Sequence, residues 1–189
     1  MLSIGWNTKL RKGKIGVFNL PADKKICGRV CPACYALKAQ IYPTVTAFRY
    51  RNYRASRGQD FVSRLSAELR DNQSKIRALR VHESGDFYNQ DYINKWVDIA
   101  RAFPAVKFYA YTKRKRELDF RRMLRLKNFV LIDSLKYGIN YGGPDVVNRY
   151  LKHKAFLCPA VTHRVTCGAG CDYCLTKDAQ STGVVFQKH

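Results

Sequence analysis

Strand-like and helix-like apolar periods alternate along this chain, and that alternation limits the possible folds more than any other feature. Residues 15–20 (IGVFNL) read as a strand, followed by a cysteine-bearing loop at 21–34. Residues 46–57 and 60–69 read as helices, and 79–83 as a strand ending in the polar run HESGD. Then come a helix at 91–103, stopped before Pro104, a strand at 107–112, a helix at 117–127 and a strand at 129–134. Residues 183–187 (GVVFQ) supply a last strand. Strands separated by helices of this length predict right-handed βαβ units around a parallel sheet. The expected class is therefore α/β, an incomplete (βα) barrel-like parallel sheet with cysteine-rich loops near both ends of the chain. A full eightfold barrel needs about 250 residues, and this chain has 189. A single domain is expected over 1–189, with a βα core at 1–154 and a cysteine-rich segment at 155–189. No apolar stretch approaches the length of a membrane span, and the first residues contain no apolar signal core, so a cytoplasmic protein is expected.

In parallel α/β folds the site gathers at the carboxyl ends of the strands. Here that edge receives Cys27–Cys34, His82–Asp86, Thr112 with Lys113, and Asp133 with Ser134.

The seven cysteines fall into two groups, Cys27, Cys31 and Cys34, then Cys158, Cys167, Cys171 and Cys174. A reducing compartment argues against a disulfide framework, and short spacings suit metal ligation. Both groups contain C-x3-C-x2-C, and three thiolates in one loop can hold three irons of a [4Fe–4S] cubane, leaving the fourth open. One or two such clusters are expected. Cys158 can complete either triplet to four ligands. Zinc is the alternative, with the two C-x2-C pairs as a tetrahedral thiolate site and His163 available to a second site. The spacing after a first strand resembles the radical S-adenosylmethionine superfamily, which implies that cofactor on the open iron and a radical-type enzyme. Ala33 departs from the aromatic usual in that superfamily before the last cysteine, whereas Tyr173 supplies one in the second triplet.

His82-Glu83-Ser84-Gly85-Asp86 directly follows apolar strand residues, and Gly85 permits a sharp turn with positive φ. His82, Glu83 and Asp86 are the candidate catalytic residues. By position the superfamily resemblance makes Glu83, Gly85 and Asp86 cofactor-binding, with Lys113, Asp133 and Ser134 as further pocket residues. An Asp or Ser capping the next helix is the structural alternative for Asp86. Lys188 and His189 follow the last strand and could reach the same face.

Charge supplies the second line of reasoning. Lys and Arg total 35 against 14 acids, a formal charge of +21. The first 58 residues hold twelve bases and one acid, Asp23, and residues 113–127 hold eight bases and two acids. Such a field favours DNA or RNA as partner. Arg51, Arg54 and Arg57 recur along one side of a helix, interleaved with Tyr50 and Tyr53, and Lys113, Arg114, Lys115 and Arg116 form a second basic run. A binding protein that grips nucleic acid through this surface, built on an iron–sulfur or zinc fold, is the alternative to the enzyme.

The phrases CPACYALKA, RVHESGDFY, KFYAYTK, NFVLI and the closing FQKH resemble the phage gene product 88 domain family. That resemblance implies a viral origin and action inside an infected bacterial host. It would place the family's cysteine and HESGD positions on Cys27, Cys31, Cys34, Cys167, Cys171, Cys174 and His82 to Asp86. It implies no particular reaction.

Overall fold

The computed structural model describes residues 4–7, 10, 14–28, 34–134, 141–142, 144–152, 154–159 and 165–187. Four parallel strands, β1 (Ile15–Phe18), β2 (Ala78–Val81), β3 (Lys107–Thr112) and β4 (Phe129–Asp133), lie side by side in sequence order. Their register pairs Phe18 with Val81, Val81 with Ala110 and Ala110 with Leu131, so the carboxyl ends are level. The helices are α1 (Lys24–Cys27), α2 (Tyr35–Gln40), α3 (Pro43–Arg57), α4 (Phe61–Asp71), α5 (Gln90–Ala102), α6 (Arg121–Leu124), α7 (Pro144–Lys152) and α8 (Lys177–Thr182). A second parallel sheet joins β5 (Tyr141–Gly142), β7 (Val184–Gln187) and β6 (Phe156–Leu157), in that order.

The barrel-like expectation is corrected by this topology. Among the described residues β1 and β4 are edges of an open sheet, and the last strand pairs with β5 and β6 instead of closing on either edge. Four strands are also too few to close a barrel of the eightfold type.

Strands buried on both faces carry continuous apolar runs, and the two faces of this sheet differ in what covers them. One face packs on α4 and α5, where Trp96, Tyr92, Phe61 and Phe18 are wholly buried. Phe18 meets Phe61 and Trp96 edge-on at 5.6 and 5.4 Å between ring centres. Each such side chain contributes about 1.5–3 kcal/mol through burial. Asn128 ties this layer to β4, its amide donating to the carbonyls of Ala100, Phe103 and Val106. The other face carries Ile15, Val17, Tyr109, Val130 and Ile132 and is covered by the C-terminal segment around Cys158, Ala179 and Val184. Arg77 pins that segment, donating to Gly168 O at 2.7 Å and to Asp172 at 2.5 Å.

The helix expected at 117–127 is confined to Arg121–Leu124. Asp119 stops its extension, because its carboxylate accepts from the Arg121 backbone N–H at 2.8 Å and from the Arg121 guanidinium. No helix among the described residues is long and apolar enough to cross a membrane.

Candidate functional site

The turn after β2 is built by backbone demands before any chemistry. His82 continues the ladder by donating its N–H to Phe18 O at 2.9 Å, yet its φ is +70°. A bulky residue in the left-handed region is held there only by strong surroundings. Its ring is buried, with Nε2 2.9 Å from the Tyr92 hydroxyl and Nδ1 without a partner. Burial depresses its pKa to about 3, so the imidazole is neutral. Gly85 has φ +86°, and a Cβ there would sit 2.6 Å from Leu20 Cβ and 3.1 Å from Leu20 O. Only glycine fits. Asn19 completes the turn, its side-chain oxygen accepting from the N–H groups of Glu83 and Ser84 at 2.8 and 3.0 Å.

Asp86 is buried and accepts from Phe87 N, Thr112 Oγ1 and Lys113 N at 2.8, 2.8 and 2.9 Å. Burial raises its pKa to about 6, against the lowering effect of those three bonds. Glu83 accepts from Asn7 Nδ2 at 2.6 Å and stands 3.7 Å from Arg80 Nη1. The Arg80 guanidinium lies 5.6 Å over the Tyr111 ring, with Nη2 3.5 Å from the Tyr35 hydroxyl. Ser134 donates its N–H to Thr112 O, and Asp133 pairs with Thr112 in register. The fold thus brings His82, Glu83, Gly85, Asp86, Lys113, Asp133 and Ser134 to one edge. In this arrangement His82 and Asp86 are bonded inward.

The cysteines behave differently from expectation. Cys31 lies outside the described residues, as do His163, Lys188 and His189. Cys27 and Cys34 are half-buried on either side of it. Cys158, Cys167, Cys171 and Cys174 do converge, lining one cavity with Tyr109 and Phe156. Its volume is about 20 Å³, room for about one water. Tyr111 OH sits 3.0 Å from Cys174 Sγ, and burial pushes that thiol up to about 12. Among the described residues no three His, Cys, Asp or Glu side chains are placed to hold a metal ion. The iron–sulfur reading of the function is overturned by that finding, and the radical-type enzyme and the zinc alternative built on the same cysteines draw no support from it.

The basic segments converge more fully than the cysteines. Helix α3 lies across the carboxyl ends of β1 and β2, with Asn52 donating to Asn19 O and the Ser56 hydroxyl 3.0 Å from that of Tyr88. Its inward stripe is Arg49, Asn52 and Ser56, and its outward positions include Arg51, Arg54 and Arg57. The loop after β3 carries Lys113, Arg114, Lys115 and Arg116 to the same edge. There Arg114 donates to the carbonyls of Phe87 and Tyr88, and its Nε lies 2.9 Å from where a Gly28 Cβ would be. Lys24 and Lys25 of α1 and Lys38 of α2 are exposed nearby in the chain, and Arg116 is exposed on the loop.

Residues 2–149 match the family described as Gene product 88. The chain belongs to that family. A relative named Gene 88 protein, from Mycobacterium phage L5, is 28% identical over 127 residues, covering 62% of this chain. This gene product 88 chain spans about half, 52%, of that relative's length. The likeness supports a bacteriophage origin. No solved structure matches, and the radical S-adenosylmethionine resemblance is not among the matches found. The matched stretch holds the four-stranded sheet, the 82–86 turn and both basic segments. It stops before Cys158, Cys167, Cys171 and Cys174, so it is narrower than the phrase-by-phrase resemblance implied.

Sequence reasoning passed over residues 35–42 of this gene product 88 chain. Tyr35, Leu37, Ile41 and Tyr42 are all exposed large side chains. Their spacing fits no single helical stripe: Tyr35 and Tyr42 are seven apart, Leu37 and Ile41 four apart, and the two pairs point to different sides. Tyr50 and Tyr53, interleaved with the arginines of α3, are half-buried and already partnered. Tyr50 OH donates to Asp23 at 3.1 Å, and the Tyr53 ring meets Tyr88 at 5.2 Å.

Proposed function

We propose that this gene product 88 chain is a nucleic-acid-binding protein that grips phosphates with the carboxyl edge of its four-stranded sheet. One observation carries the reading: two basic segments far apart in sequence meet there, Gly28 of the first lying against Arg114 of the second. Four acids of this edge are already partnered or buried. Asp23 takes the Lys25 N–H and the Tyr50 hydroxyl, Glu83 takes Asn7, Asp86 is buried, and Glu117 pairs with Arg114 at 2.9 Å. What faces solvent at Lys24, Lys25, Lys38, Arg51, Arg54 and Arg116 is cationic.

Phosphate neutralisation releases condensed counterions, so affinity must fall as salt rises. With about five contacts, binding weakens by on the order of 10²–10³-fold between 50 and 200 mM salt. Titrating labelled DNA and RNA oligonucleotides across that range measures the slope. A flat dependence, or no binding at the lower salt, defeats the proposal.

A further inference from the structure

We infer that the nucleic acid taken by this surface is single-stranded, with Tyr35 and Tyr42 as its base-stacking platform. The inference rests on the nucleic-acid reading above and names the form of the ligand. It comes from a separate observation. Six large apolar side chains are exposed among the described residues, and four of them fall within residues 35–42. Scattered exposed apolar residues are ordinary, whereas a concentration of them in one short segment points to a contact surface. Tyr35 is 49% exposed, Ile41 74% and Tyr42 60%.

The platform is held in place rather than hanging free. Tyr35 OH donates to Glu83 O at 2.6 Å, which fixes the ring over the end of β2. Arg49 Nη1 donates to Ala36 O at 2.9 Å, and Gln40 Oε1 accepts from Ala22 N at 2.8 Å. Thr46 Oγ1 donates to Gln40 O. Tyr42 occupies the position just before α3, ahead of Pro43, whose ring sets the first helical φ. A surface ordered beforehand loses little entropy when a ligand arrives.

Charge complementarity chooses the occupant. Lys38 lies between the two tyrosines in sequence, and Arg51 and Arg54 follow on the outward side of the adjoining α3. Cations along a backbone track, with aromatic faces between them, are what an unpaired strand requires. A duplex hides its base faces inside the stack and would set phosphates against Ile41 and Tyr42. A single strand offers one face per base.

The test uses the full chain and fluorescence anisotropy with labelled dT20, rU20 and a 20-base-pair duplex, each at two salt concentrations. Both single strands should bind at least about tenfold more tightly than the duplex; a gap between dT20 and rU20 then says which sugar is preferred. Tyr42→Ala should weaken single-strand binding by about 5- to 100-fold, with the salt slope unchanged. Tyr42→Trp should restore it, and duplex binding should not move. Tyr35→Ala is the second variant, checked by thermal melting because its hydroxyl also holds Glu83. Salt-dependent binding without strand preference, and with both alanine variants silent, overturns this inference and leaves the nucleic-acid reading standing. A monomer–dimer shift abolished by Tyr42→Ala, with no effect on strands, assigns the patch to a second copy and also overturns it. Absence of salt-dependent binding removes both.

Discussion

The loop after β2 and the helical pair after β1 share one edge of the sheet and use it in opposite ways. Residues 82–86 concentrate a histidine, a glutamate, a serine and an aspartate, the composition that usually announces chemistry. Nearly all of that capacity is turned inward. His82 contacts Tyr92, Asp86 collects three donors, and Asn19 caps the backbone between them. Residues 35–57 look bland by the same standard, yet they leave tyrosines and arginines facing water. A dense polar turn inside a parallel sheet can be what the sheet needs to end its strands. Aromatic and cationic side chains that face solvent are the better guide to what a surface binds.

The sharpest break in this contrast is Asp86→Ala. Removing the carboxylate leaves the N–H groups of Phe87 and Lys113 and the Thr112 hydroxyl without their acceptor in a buried site. Each unsatisfied donor costs about 1–3 kcal/mol. A loss of about 3–5 kcal/mol in urea unfolding is expected. A loss below about 1 kcal/mol would show that the turn does not depend on Asp86.

Much of the sheet was legible in the chain. The four short apolar runs became β1 to β4 with ends shifted by a few residues, and Gly85 took the positive φ its place in the turn suggested. Other features were not, for physical reasons. Closure depends on which edge the last strand joins, and β7 found β5 and β6 through contacts no local pattern encodes. Helix α3 has a polar inward stripe because it covers strand ends, whose backbone groups need partners such as Asn52. With no apolar stripe, only the arginine spacing of Arg51, Arg54 and Arg57 pointed to its outer side. The cysteine spacings gave the grouping of Cys158, Cys167, Cys171 and Cys174 around one cavity but not its size.

A smaller effect tests the same turn through pH. The pKa of His82 is about 3 in the fold against an ordinary 6.5. Between those values the unfolded chain binds a proton that the native state refuses, so stability falls as pH falls below about 6.5. The slope is about 1.4 kcal/mol per pH unit. Asp86 acts in the other direction: its pKa is raised to about 6, so its contribution weakens as pH rises from about 4 to 6. Comparison with His82→Asn cancels the Asp86 contribution, because both proteins retain that group. Asn tolerates positive φ, and the variant should be less stable at pH 7 through lost packing. The two unfolding free energies should then converge as pH drops from 6.5 to 4.5, followed by chemical denaturation. Parallel curves would mean that the buried ring takes up its proton as readily as an exposed one.

The smallest stability effect belongs to the exposed side of the comparison. Arg51 and Arg54 lie on the outward side of α3, where the Arg51 guanidinium rests 5.2 Å from the centre of the Phe48 ring. An exposed cation–π contact contributes about 0.5–1 kcal/mol, so Arg51→Gln should cost at least that, because its charge also acts on Glu68, and Arg54→Gln less. Binding should respond far more than folding. If both arginines touch phosphates of a single strand, the double variant should lower the slope of log affinity against log salt by about 1.4, from about 0.7 per contact. The Asp86→Ala change should do the reverse at temperatures where it remains folded, lowering stability with the salt slope unchanged. An arginine pair whose loss melts the protein but spares the slope would exchange the roles of the two regions. An unchanged slope with unchanged stability would move the phosphate contacts to Lys24, Lys25 and Arg116, on the other segments of the same edge.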